Sequence, residues 1–219
     1  MYAALDARRI PGSASVLRGL HTAMTSDPSN EANRYVYKAA LIGAARQFEL
    51  TDDGFSWKVG GKSGVWRYAD IAAVRLSYRP SSMQPRRFRA DIELGDRQRV
   101  SILSTSWQTV TLMTPQDRDY TAFITQLHAR MQRAGSKAAL VGGLKSGLYI
   151  AGAVVVALVA ISITGLLVRA LATGEFSGAL FLVGFAALFG WQIGGFMRRN
   201  RPQTYAFDQL PRALLPQDK

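Results

Sequence analysis

The sequence predicts two structural classes in one chain: an α+β soluble domain of seven short antiparallel strands followed by one helix, and a C-terminal two-helix transmembrane hairpin. Three observations carry this. Ser146–Val168 and Phe176–Met197 are apolar runs of 23 and 22 residues with no acid or base inside. At about 1.5 Å per residue each is roughly 33 Å long, enough to cross a hydrocarbon core of about 30 Å. Between Arg46 and Met113 apolar residues recur with period two, broken by Gly, Asp and Pro, as in half-buried strands joined by tight turns. Over 117–134 the period becomes that of an amphipathic helix.

Residues 1–33 are predicted to be disordered, because Pro11, Gly12, Ser13, Ser15, Ser26, Pro28 and Asn30 scatter breakers through them. The short apolar piece Val16–Met24 is interrupted by Arg18 and His21, so it is no signal-peptide core and insertion falls to the later spans. Met24 offers an alternative start, which would make 1–23 an upstream extension.

The soluble domain is assigned to 34–134. Phe48 and Leu50 alternate with polar neighbours, then Asp52-Asp53-Gly54 turns the chain. Phe55, Trp57 and Val59 form the next strand, and Gly60-Gly61-Lys62-Ser63-Gly64 the next turn. Strands follow at Val65–Tyr68, Val74–Tyr78, Phe88–Leu94 and Arg99–Ser104, with a last one over Trp107–Met113. The helix carries Tyr120, Phe123, Ile124, Leu127 and Met131 on one stripe. Asp117 and Asp119 suit its positive N-terminal end, Arg130 and Arg133 the other, and it is expected to stop near Gly135.

Residues 135–145, with Gly135, Gly142 and Gly143, read as a linker that lets the soluble domain reorient. The spans are expected to occupy 146–197, and 198–219 to form a cytoplasmic tail. Pro202, Pro211 and Pro216 forbid a long helix there, leaving a tail that lies along the soluble domain or a partner, or stays loose. Arg130, Arg133, Lys137 and Lys145 precede the first span, Arg198, Arg199, Arg201 and Arg212 follow the second, and Arg169 stands alone between them. That asymmetry places both termini in the cytoplasm. In the second span Gly190 and Gly194 have small-xxx-small spacing, with Gly184 earlier. This face is expected to pack the two helices together, or alternatively to serve homo-oligomerisation or docking on a larger membrane partner.

Seven strands and a closing helix, with Arg67-Tyr68-Ala69-Asp70-Ile71-Ala72-Ala73-Val74, resemble the pleckstrin-homology-like (PH-like) barrel or sandwich of bacterial membrane proteins. The resemblance covers about 44–134. It implies a multi-pass protein of the bacterial inner membrane. Two departures keep phosphoinositide binding from being carried over. The loop taken as the first between strands is acidic, Asp52-Asp53-Gly54, and the helix has no Trp.

No catalytic, cofactor-binding or metal residue is assigned. Gly60-Gly61-Lys62-Ser63 has Ser56 where a phosphate-cradling loop needs Gly, and a strand where it needs a helix. His128 lacks ligand partners at metal spacing and reads as a partly exposed structural histidine. With 2 histidines and no cysteine, no nucleophile–base pair stands out. The net charge of +12 suits an anionic leaflet, and no nucleic-acid recognition motif accompanies it. The candidate binding cluster is Arg75, Arg79, Met83, Arg86, Arg87 and Arg89. If the hairpin folds about Pro80–Pro85, Arg79 falls beside Arg87 and Arg75 beside Asp91, and the like-charged pair gains from an anionic partner. Met83 at the tip would dip among headgroups. The alternatives are a solvated face with Arg75–Asp91 and Arg89–Glu93 pairs, or an acidic protein partner. The functional expectation is a non-catalytic interaction module contacting anionic lipid headgroups or a protein; the competing one is an accessory subunit of a larger transporter or envelope enzyme.

Overall fold

A computed structural model describes residues 32–95, 98–109 and 112–217. The expectations of disorder and of an alternative start fall on 1–31, outside the described residues, apart from Ala32 and Asn33, which form a turn. The soluble part holds two sheets. One runs in the order β1 (Arg34–Tyr37), β2 (Arg46–Leu50), β3 (Phe55–Val59), β4 (Lys62–Trp66). The other contains β5 (Ile71–Tyr78), β6 (Phe88–Leu94) and β7 (Arg99–Leu103), extended by two strands from beyond the helix. These sheets and the helix α1 (Asp117–Arg133) enclose one core.

Period two explains which side chains fill it. Tyr35, Tyr37, Phe48, Phe55 and Trp66 point inward from β1 to β4, and their rings follow one another at centroid separations of 5.9 to 6.0 Å. Val74, Leu76, Ala90, Ile92 and Ile102 supply the facing sheet. All five residues of the helical stripe are fully buried, and Tyr35 meets Tyr120 edge-on and Phe123 at a tilt. Gly60 and Gly61, with φ of 58° and 81°, make the β3–β4 turn a two-residue hairpin.

The expected strand Val65–Tyr68 moves back to β4, which takes in Lys62-Ser63-Gly64 of the expected turn and leaves Tyr68 in a short helical turn (Tyr68–Asp70). Besides this shift, the structure departs from the strand expectations in three places. β1 lies within the assigned domain but is not among the expected strands; its four residues are too few for the alternation to stand out. Asp52-Asp53-Gly54 therefore joins β2 to β3, and the loop after the first strand is 38–45. The expected strand Trp107–Met113 is instead a separate antiparallel ribbon of β8 (Thr105–Trp107) and β9 (Met113–Pro115).

The third departure overturns the linker. Within 135–145, β10 (Ala139–Gly142) adds to β5 in parallel, with Leu140 beside Val74 and Gly142 beside Leu76. The tail strand β11 (Gln203–Thr204) then pairs antiparallel to β10, giving the order β11-β10-β5-β6-β7. The glycines serve close approach, not freedom. A Cβ on Gly143, where φ is +84°, would lie 2.4 Å from the Arg201 carbonyl oxygen, and one on Gly142 would lie 2.7 Å from Leu214 Cδ1.

Two helices long and apolar enough to cross a membrane follow, α2 (Ser146–Ala172) and α3 (Phe176–Arg199). Because α2 leaves from β10 and α3 returns into β11, both spans join the sheet at one end of the hairpin. The tail then folds back. Leu214 is fully buried, Leu215 and Leu140 nearly so, and Tyr205, Phe207 and Leu210 pack against the same core.

Candidate functional site

Four hydrogen bonds weld hairpin to sheet. The Asn200 side-chain carbonyl accepts from Tyr78 N–H at 3.0 Å, and its amide donates to Tyr78 C=O at 3.0 Å. Gly143 N–H donates to Leu76 C=O at 2.7 Å, and Leu144 N–H to Asn200 C=O at 3.0 Å. The Phe196 ring lies 6.4 Å from the Tyr78 ring, and the Arg199 guanidinium sits over the Tyr78 ring, 4.9 Å from its centroid. No motif marks this junction in the sequence, since one asparagine after an Arg-Arg pair carries no pattern.

The β5–β6 loop is pinned beside it. Arg79 N–H donates to Arg87 C=O at 2.8 Å, and Ser81 and Gln84 exchange backbone bonds at 3.0 and 3.1 Å. Gln84 Nε2 donates to Met113 C=O at 2.7 Å, and the Tyr78 hydroxyl donates to Pro85 C=O. Met83 stands exposed at the tip, 47 % accessible.

The register places Arg75 opposite Asp91 and Ser77 opposite Arg89, so Arg75, Arg79, Arg87 and Arg89 share the polar face of the sheet. The ion pairs differ from the two considered. Asp91, 5 % exposed, accepts from Arg89 Nε at 2.8 Å and from Ser101 Oγ at 2.5 Å, while Glu93 pairs with Arg99 at 3.9 Å. Arg75 Nε and Arg87 Nε are buried without a hydrogen-bond partner. Burial lowers the Arg87 pKa from its ordinary value, and neighbouring Arg89 adds to the shift.

Arg86 parts from this group. It turns toward the tail, where its Nη2 donates to Gln217 C=O at 2.6 Å. There it lines a cavity of about 450 Å³ with Phe88, Arg198, Arg199, Arg212, Ala213, Leu215 and Gln217. A second concavity of about 840 Å³ shares Arg86, Arg198 and Arg199 and continues along α3 past Phe196, Ile193, Gln192, Phe189 and Leu188. Sequence proximity had grouped Arg86 with Arg87 and Arg89; the turn of the chain separates them.

Gly184, Gly190 and Gly194 do not pack the two helices together. A Cβ on any of them would meet open space. The less exposed α3 positions, Ala179, Leu182, Ala186, Ile193 and Met197, lie on another face. The expectation fails because small-xxx-small spacing marks a face without saying which neighbour it meets.

His128 is fully buried, not partly exposed. Its Nδ1–H donates to Ile124 C=O at 2.7 Å, which leaves Nε2 to accept from the Tyr205 hydroxyl at 3.0 Å. Burial lowers the His128 pKa and raises that of Tyr205, so the neutral ring and the protonated phenol suit each other.

Compared with family models, curated proteins and solved structures, the chain finds no match.

Proposed function

We propose that this chain is a membrane-anchored, non-catalytic interaction module, whose two spans hold a PH-like domain on the cytoplasmic face of a bacterial inner membrane with its arginines against anionic headgroups. Support for the PH-like reading comes from β1: with it, seven strands in the sets β1–β4 and β5–β7 precede the helix, the β8–β9 ribbon standing between. The observation that carries the function is the weld between Asn200 and Tyr78. It fixes the β5–β6 loop beside the end of α3, where Arg198 and Arg199 close an apolar run. Exposed Met83 and the arginines around it thereby stand at headgroup depth, where each Lys or Arg near an anionic leaflet contributes on the order of 1 kcal/mol.

The chain has no cysteine, so a Met83→Cys variant takes a single environment-sensitive label. In nanodiscs containing phosphatidylglycerol the label is expected to report an apolar setting that reverts in high salt, and in phosphatidylcholine alone to stay wet. The same signal in both membranes would sink the reading.

A second reading, an accessory subunit of a larger membrane complex, is favoured by the outward-facing Gly184, Gly190 and Gly194. Co-purification of a stoichiometric membrane partner in mild detergent, lost on Gly190→Leu, would select it.

A further inference from the structure

We infer that the junction holds one anionic phospholipid, its phosphate among Arg86, Arg198, Arg199 and Arg212 and an acyl chain along the Leu188–Phe196 side of α3. This rests on the reading that the spans lie in a bilayer, and goes beyond general leaflet contact to a built, stoichiometric site.

The first support is charge. Four guanidinium-bearing residues line one cavity with no carboxylate among the lining residues, and among the described residues none of the four is in an ion pair. Like charges gathered at one cavity gain from a counter-ion, and guanidinium groups match a phosphate through paired hydrogen bonds. The second is construction. Arg198 and Arg199 end α3, where the helix dipole favours cations. Arg86 is held by its bond to Gln217. Arg212 is brought to the cavity by the short helical turn Arg212–Leu214, which fully buried Leu214 anchors. The tail thus completes the site.

The third support, an adjoining apolar groove, selects a lipid over a free phosphate or a phosphorylated protein. The cavity opens into the groove that shares Arg86, Arg198 and Arg199 and is walled by Leu188, Phe189, Ile193 and Phe196. A free anion leaves that apolar wall unused. A lipid phosphate at the ring of arginines directs its chains along the span, the direction the groove runs.

The test uses the full chain in neutral detergent, with lipid retention counted by native mass spectrometry. One dioleoyl phosphatidylglycerol per chain is expected, with phosphatidylcholine retained at least about tenfold less. Arg198→Gln with Arg212→Gln should cut phosphatidylglycerol retention at least about tenfold, as expected for losing charge-assisted hydrogen bonds, whereas exposed Arg67→Gln should not. If the double variant does not fold, Arg198→Gln alone carries the test. Equal retention of both lipids, undiminished retention in the variant, or inorganic phosphate competing as well as the lipid binds would overturn the inference. If retention fails while the Met83 label still responds to anionic membranes, the leaflet-contact reading stands without the site; if both fail, both fall.

Discussion

The side-chain amide of Asn200 satisfies both backbone hydrogen-bonding groups of Tyr78, one bond in each direction and each 3.0 Å long. It stands in for one more residue of a neighbouring strand just where β10 has ended and α3 has returned. Asn200 is wholly buried and also donates to Phe196 C=O at 3.3 Å, so it caps the helix and continues the sheet at once.

Replacing it with leucine, of similar volume, leaves a buried N–H and a buried C=O unpaired, each costing about 1–3 kcal/mol. Asn200→Leu is therefore expected to lose about 2–4 kcal/mol in thermal or denaturant unfolding of the full chain in detergent. Asn200→Asp keeps the acceptor but sets a buried carboxylate against the Tyr78 and Phe196 carbonyl oxygens, so a loss at least as large is expected. Unchanged unfolding in Asn200→Leu would show that the junction is held by the other links alone.

The parts of the fold legible in the sequence are those fixed by local periodicity. β2, β3, β6, β7 and the part of β5 from Val74 onward alternate, and the stripe from Tyr120 to Met131 gives α1 to within a residue or so. The register about Pro80–Pro85 could be read because the loop is short and Val74, Leu76 and Tyr78 must face Ile92, Ala90 and Phe88. What escaped is non-local. Nothing in Ala139–Gly142 says that it pairs with Ala73–Leu76, and nothing in Arg212 says that it meets Arg86 across 126 positions of chain. Glycines misled most: Gly142 and Gly143 resemble a hinge, yet they are small because the returning tail crosses over them.

Gly143→Ala should be worse than Gly135→Ala for that reason. Both glycines have positive φ, +84° and +64°, but the added methyl at 135 meets nothing, while at 143 it meets the carbonyl oxygens of Asn200 and Arg201 at 2.5 and 2.4 Å. Left-handed backbone alone costs about 1–2 kcal/mol, and those carbonyls are backbone that must shift. Amide exchange at Leu144, whose N–H bonds Asn200 C=O, is expected to accelerate in Gly143→Ala and stay slow in Gly135→Ala. Equal rates would refute the crossing as the reason for the glycine.

The tail should behave as core. Leu214 is fully buried, so Leu214→Ala is expected to cost about 2–5 kcal/mol, against a few tenths for exposed Ala213→Ser. A stop after Arg201 removes Tyr205, Phe207, Leu210, Leu214 and Leu215 together and is expected to leave Leu140 and the α1 face uncovered. Protease sensitivity within 139–145 checks this: protection equal to the full chain would mean that the tail only decorates the surface.

Tail docking should also weaken in mild acid. The folded state keeps His128 neutral, because burial lowers its pKa while the bond to Ile124 only partly offsets that, and protonated Nε2 could no longer accept from Tyr205. The unfolded chain has a His pKa of about 6.5. Below that value the unfolded state takes up a proton that the folded state refuses, so stability present above about pH 6.5 is lost as pH falls, until the lower folded pKa is reached. Wild type and His128→Gln are expected to diverge accordingly between pH 7.5 and 5, wild type losing more. Parallel pH profiles would place the His128 proton balance outside the forces that hold the tail.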